Sequence, residues 1–312
     1  MRKRPRSRCG AVARGTTSGA RRIAGALLGV AVSGIMSPVA AQAGTDVWLA
    51  SLSERNGRLE VGVPSNITRR PGYDNQPGFT ADGRSVLFTR IEDGQADIAR
   101  YEIAGARIDR VTSTRESEYS ATPVPGRDAF SVIRVEADST QRLWQFPFGG
   151  GEPSIVLRDV APVGYHAWAD ENTLVLFVLG RPPTLHVADV RTGRAREAAR
   201  DIGRSIQKIP GRRGVSFAQR TDAGIRIDEL DLSSGAIRPL VAARPGGEFH
   251  AWTPGGVLLM GEGPRLYRWK PGDPDWTLVA DFTAQDLRIS RLAVSPGGDW
   301  IALVSEETAR DR

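Results

Sequence analysis

The chain has 312 residues, with 42 basic and 36 acidic side chains and a net charge of +6. Eight of the basic residues and none of the acidic ones fall before residue 44, so the remainder carries −2 and a nucleic-acid-binding role founded on net charge is excluded. The only cysteine, Cys9, lies in the same opening stretch, which excludes disulfides and a cysteine nucleophile from the rest and leaves the fold to its own core.

The opening stretch is a targeting segment. Arg2, Lys3, Arg4, Arg6, Arg8, Arg14, Arg21 and Arg22 precede an apolar run from Ile23 to Met36, which ends in Val39-Ala40-Ala41-Gln42-Ala43. A basic end, an apolar centre and an Ala-x-Ala site make a secretory signal peptide over residues 1–43, with cleavage expected after Ala43 and Ala40 or Ala41 as alternatives. Gly25, Gly29, Gly34 and Pro38 interrupt the run, which falls short of the ~20 apolar residues of a spanning helix. Cleavage is therefore expected over retention as an anchor, with no membrane span afterwards and a periplasmic or secreted location. Arg21-Arg22 also fits the twin-arginine route, although the residues that follow are not those the route prefers.

Turn signals then recur at a fixed interval. Taking Gly83, Gly126, Asp170, Gly211, Gly255 and Gly297 as markers, the steps are 43, 44, 41, 44 and 42 residues. A period of ~40–45 residues is that of a four-stranded propeller blade. Each marker precedes a short apolar run rich in β-formers, such as Ser85-Val86-Leu87-Phe88-Thr89 or Leu174-Val175-Leu176-Phe177-Val178. A second turn and an alternating strand follow, such as Asp97-Ile98-Ala99-Arg100-Tyr101 or Arg265-Leu266-Tyr267-Arg268-Trp269. A third turn leads to an outer strand. The seven Trp residues recur through these units at a spacing that suggests packing between blades.

The two ends complement each other. The last unit, Ser290 to Val304, supplies two strands, while Asp46–Ala50, a turn at Asn56-Gly57 and Leu59–Val63 supply a third and a fourth with no first or second before them. The expected fold is an all-β, six-bladed β-propeller of four-stranded antiparallel blades over residues 44–306, closed by N-terminal strands that complete the C-terminal blade. Residues 307–312 are expected to form a short polar tail, and the protein is expected to be a monomer.

The segments Asn66-Ile67-Thr68, Asp74-Asn75-Gln76-Pro77-Gly78-Phe79-Thr80-Ala81-Asp82-Gly83 and Asp97-Ile98-Ala99-Arg100-Tyr101 resemble the repeat of TolB-type propellers. Ala293-Val294-Ser295-Pro296-Gly297-Gly298 repeats the pattern, and the middle units keep it in reduced form. The resemblance implies a propeller scaffold, an envelope location and a protein partner. TolB also carries an amino-terminal domain, for which this sequence leaves no room. The specific role of TolB does not transfer, because a fold does not fix a function.

Motifs for chemistry are missing. There is no Gly-x-Ser-x-Gly elbow, no His-Glu-x-x-His and no EF-hand loop, and Gly149-Gly150-Gly151 reads as a hairpin turn. Arg69-Arg70 and Arg212-Arg213 read as solvated loop charge. His166 in Tyr165-His166-Ala167-Trp168 and His250 in Phe249-His250-Ala251-Trp252 hold the same place in units three and five, just before the inner strand. Pro77, Thr122, Gln207 and Arg291 or its neighbour Leu292 fall near the same column, which predicts Thr122, His166, Gln207, His250 and Arg291 around one mouth of the channel. The expectation is a non-enzymatic binding or scaffold protein of the envelope with no cofactor, no metal, no catalytic residue and no nucleic-acid partner. The alternatives use the same mouth. One is a lyase or hydrolase acting on a saccharide or peptide. The other is a site for a metal or small ligand on His166 and His250, as in exported lyases whose related propellers hold a divalent ion on channel histidines and a glutamine.

Overall fold

Ser85–Thr89, Leu174–Val178, Asp97–Tyr101 and Arg265–Trp269 are strands, with ends that differ by up to three residues. The computed structural model describes residues 44–55 and 58–307. The signal peptide expected over 1–43, the Asn56-Gly57 turn and residues 308–312 of the expected tail lie outside the described residues.

The strands form six four-stranded antiparallel blades among the described residues. Blade 1 runs from the channel outward as Tyr73–Phe79, Ser85–Glu92, Gln95–Glu102 and Arg107–Arg110. Blade 2 is Ser117–Pro123, Ala129–Val135, Gln141–Pro147 and Ser154–Ile155. Blade 3 is Val163–Trp168, Thr173–Val178, Thr184–Asp189 and Arg194–Arg200. Blade 4 is Ile202–Lys208, Gly214–Thr221, Gly224–Asp231 and Ile237–Ala242. Blade 5 is His250–Trp252, Leu258–Glu262, Arg265–Trp269 and Thr277–Asp281. Blade 6 joins the two ends: Ile289–Val294 and Trp300–Glu306 come from the carboxy-terminal part, and Thr45–Arg55 and Arg58–Val61 from the amino-terminal part. In it, Thr45 to Ser51 pair with Glu306 to Trp300.

The core is divided among the gaps between blades. Residues of one strand alternate between the two gaps, because successive side chains of a strand point to opposite faces. Val86 and Phe88 pack toward blade 6 with Val47, Leu49 and Ala302, while Leu87 packs toward blade 2 with Phe130, Val132 and Phe146. Four further apolar clusters fill the gaps 2/3, 3/4, 4/5 and 5/6. All seven Trp residues pack within or against one of these clusters. The fit is close at the centre: a Cβ on Gly78 of blade 1 would lie 2.7 Å from the Ala121 carbonyl oxygen of blade 2.

Two recurring motifs have local physical causes. In the first, Thr68 Oγ1 accepts the Val47 N–H at 3.1 Å and donates to the buried Asp46 carboxylate at 2.6 Å. Thr112 repeats the arrangement, accepting the Ile98 N–H at 2.8 Å beside Asp97. The Asp-(Ile/Val) strand start and the (Ile/Val)-Thr connector are therefore two halves of one hydrogen-bonded joint. In the second, glycine takes a left-handed backbone in the turn between inner and second strands. In blades 5 and 6 that residue is Gly256 and Gly298, both with φ of 76°, one place after the markers taken from the sequence. Arg70 is not a loose loop charge, whereas Arg212 is exposed. Arg70 and Arg90 both pair with the buried Asp74, and Arg212 lies 3.5 Å from Glu229.

Thr68→Val keeps the shape of the joint and removes its hydroxyl, leaving a buried carboxylate oxygen and a strand N–H short of a partner. Such losses cost about 1–3 kcal/mol. Urea denaturation should show that loss, whereas Thr277→Val on an exposed outer strand should stay within about 0.5 kcal/mol of the parent.

Candidate functional site

The inner strands of the six blades surround an axial channel. A cavity of about 370 Å³ lies along it and is lined by residues from every blade. Thr122, His166, Gln207, His250 and Arg291 all contribute to this lining. They do not form one column. His166 stands opposite Leu176 and His250 opposite Met260, and the matching places in blades 4 and 6 are Ile206 opposite Phe217 and Leu292 opposite Leu303. Thr122 and Gln207 stand one residue later, opposite Ser131 and Ser216, and Arg291 one residue earlier than Leu292. A shift of one residue reverses the face, so these three side chains leave their strands on the side opposite to the histidines.

The two histidines face neighbouring blades. The Ser131 hydroxyl of blade 2 accepts the Trp168 indole N–H of blade 3 at 2.9 Å and lies 2.7 Å from His166 Nε2. The Ser216 hydroxyl of blade 4 does the same for blade 5, with Trp252 and His250 Nε2 both at 2.8 Å. His250 also places Nδ1 3.1 Å from the Ser205 hydroxyl, which accepts the His250 backbone N–H at 3.2 Å. In blade 2 the matching serine, Ser120, donates instead to Gln76 at 2.9 Å, and His166 Nδ1 is buried without a partner among the described residues. Both rings are buried, at 8% and 0% exposure. Burial drives the His166 pKa down to about 3 and that of His250 down to about 4, so both rings are neutral at ordinary pH. With both nitrogens hydrogen-bonded, His250 has no lone pair free for a metal. Among the described residues no cluster of three His, Cys, Asp or Glu side chains could hold one.

Across the channel a different group dominates. Arg291 of blade 6 reaches to blade 3, on the opposite side of the ring. Its Nη2 donates to the Tyr165 hydroxyl at 2.8 Å, and its guanidinium lies 3.8 Å from the Phe249 ring centre and 5.2 Å from that of Tyr165. Tyr165 and Phe249 meet edge to face at 6.3 Å. Cation–π contacts of this kind contribute about 0.5–2 kcal/mol each. Arg204 stacks over the other side of this cluster, 5.2 Å from Phe249, but its charge is taken by Glu248 at 2.7 Å. Burial works to raise the Glu248 carboxyl, and the Arg204 hydrogen bonds and charge override it and hold the group below its ordinary value. This bridge separates the cavity from a second one of about 430 Å³ at the opposite mouth, where Tyr73, Tyr119 and Glu306 take part in the lining.

Sequence reasoning placed Arg291 near the channel but missed Tyr165 and Phe249 as its seat. The signal was present, since the residue before each histidine is aromatic in both tetrapeptides. It also missed Ser131 and Ser216, which stand at one register position of blades 2 and 4, each just before a histidine-bearing blade.

Fold and channel together define a closed β-propeller with an axial cavity of mixed polar and apolar lining. No family model matches the chain. A solved TolB candidate from Agrobacterium tumefaciens aligns with 85% of this chain and 100% of its own, at a TM-score of 0.67 and 14% identity. TolB from Acinetobacter baumannii aligns over 85% of this chain and 64% of its own, at a TM-score of 0.51 and 12% identity. These likenesses establish the fold. An uncharacterized protein from Agrobacterium fabrum strain C58 is 26% identical over 80 residues, a stretch spanning 26% of this chain and 27% of that relative.

The histidines make stability depend on pH. Unfolded imidazole titrates near 6.5, and the folded sites bind a proton only near 3 and 4. Their contribution is complete above about pH 6.5 and is lost as pH falls toward the folded values. Glu118 acts in the opposite sense. Burial raises it from 4.5 to about 7, so its contribution is complete below pH 4.5 and is lost as pH rises through 7. The melting temperature of the parent, compared with that of a His166→Asn/His250→Asn variant, should therefore fall more steeply from pH 7 to pH 4. Parallel curves would contradict the assignment.

Proposed function

We propose that the chain is an exported, non-enzymatic binding propeller of the cell envelope, a monomer that holds a partner protein at one mouth of its channel. The signal peptide would be removed near Ala43, and the six-bladed, TolB-like ring over residues 44–306 would act in the periplasm. The observation that carries this reading is the division of labour in the channel. The two histidines are tied into serine and tryptophan hydrogen bonds between blades, while Arg291, Thr122 and Gln207 line the open cavity. A largely apolar, aromatic-rich cavity with a few charged and polar groups is suited to recognition, with rigid elements behind it. The TolB-like fold of the neighbours and the basic, apolar and Ala-x-Ala order of the leader support the envelope location. No helix among the described residues is long and apolar enough to cross a membrane.

Two measurements test this. A reporter enzyme active only after export, fused behind residue 312, should be active, and the purified protein should begin near Gly44. A photo-reactive residue at Thr122 should crosslink one defined protein in intact cells, while the same residue at the exposed outer position Ile237 should not. Equal capture from both positions, or none from Thr122, would sink the channel-mouth reading.

A further inference from the structure

We propose that the channel cavity binds a carboxylate-bearing ligand whose carboxylate sits on Arg291; this rests on the binding reading above and names its chemistry.

The first support is charge. The cavity lining includes Arg204, Lys208 and Arg291 and, among the described residues, no Asp or Glu. Arg204 is neutralised by Glu248, so its field at the cavity is small. Arg291 has no carboxylate partner among the described residues. A guanidinium carries five N–H donors, and the hydrogen bond to Tyr165 uses one. A cation whose other donors have no protein partner among the described residues is free to take an anion.

The second support is preorganisation. Phe249 and Tyr165 hold the guanidinium from the side, fixing its plane and excluding water there. A ligand would meet a group that already has its bound geometry, so little ordering cost remains. The planar fork of Arg matches a carboxylate with two parallel hydrogen bonds. A single free guanidinium suits a singly charged carboxylate better than a doubly charged phosphate.

The third support is size and the rest of the lining. A volume of about 370 Å³ lies within the ~300–1,000 Å³ of small-molecule sites. Thr122 and Gln207 border the same space and offer neutral hydrogen-bonding groups for the remainder of the ligand. The histidines do not compete, being neutral and turned into the gaps between blades.

The carboxylate can come from a free small acid or from an acidic end of a partner peptide. Calorimetric titration of the purified protein with two matched pairs separates them: glucuronate against glucose, and the tripeptide Ala-Ala-Ala against its carboxy-terminal amide. Trp168 and Trp252 border the cavity, so their fluorescence gives a second readout. At least one acid should bind about tenfold or more tighter than its neutral partner, and the pair that responds identifies the source. Arg291→Met should lose that preference, with a melting temperature lowered by loss of the stacking and of the Tyr165 bond but with the ring still folded, and Arg291→Lys should recover part of it. Should Arg291→Met fail to fold, Lys208→Met, altering an exposed side chain, should weaken the same binding and reduce its dependence on salt. The proposal is overturned if neither acid outbinds its neutral partner, or if the variant that folds binds like the parent. Crosslinking of a partner from Thr122 alongside such a result would remove the carboxylate proposal and leave the binding reading standing.

Discussion

The whole ring depends on one strand pairing, that of Thr45–Ser51 against Trp300–Glu306. It completes blade 6, and blade 6 completes the gaps 5/6 and 6/1. Each gap holds one of six apolar clusters, so no blade has a core of its own. Unpairing the closing strand would expose Val47, Leu49, Ala50 and Leu52, all buried, and two faces that have no other cover. Apolar burial is worth ~25 cal/mol per Å², so the favourable terms of neighbouring blades are coupled. That coupling is why the two half-blades at the ends of the chain must pair before blades 5 and 1 are covered on both faces.

Much of this was legible in the sequence because propeller turns have local causes. A glycine or aspartate at each inner turn sets the period, and the half-blades at the two ends declare the closure without any contact being known. The channel was less legible. The spacing of His166 and His250 showed that they are equivalent, but their partners, Ser131 and Ser216, belong to the preceding blade, and only the register of that blade brings them within reach. The one-residue displacement of Thr122 and Gln207 has a similar origin. The turns after the inner strands of blades 2 and 4 are closed by bonds between residues five apart, Val124 to Ala129 and Ile209 to Gly214, and those of blades 3 and 5 by bonds between residues four apart, Ala169 to Thr173 and Thr253 to Val257, so one count from the turn markers does not fit all four blades. Arg70 was misread because its carboxylate, Asp74, is buried and shared with Arg90.

The two kinds of polar group near the axis illustrate how burial sorts function from architecture. His166 and His250 are the residues that look chemical, yet desolvation makes them neutral and their hydrogen bonds join blade to blade. Arg291 looks ordinary in the sequence and sits where charge has the most effect, between two cavities and against two rings. Its bond to Tyr165 also ties blade 6 to blade 3 across the axis, which stiffens the ring along a diameter no strand pairing spans.

The closing strand has a further consequence, in time rather than in space. Its first residue, Thr45, is among the earliest of the folded part to be made, and its partner, Glu306, is among the last. At about 5–20 residues per second, synthesis separates them by roughly 10–50 s. Throughout that interval blade 1 lacks its neighbour on one side, and the Thr45–Arg55 strand presents an unpaired edge, the kind of surface that recruits the wrong chain. Pairing over such a sequence distance is also slow, since loop closure must precede any reward. The nascent protein is thus a late closer, with its greatest exposure to misassembly falling just before its final strand is complete.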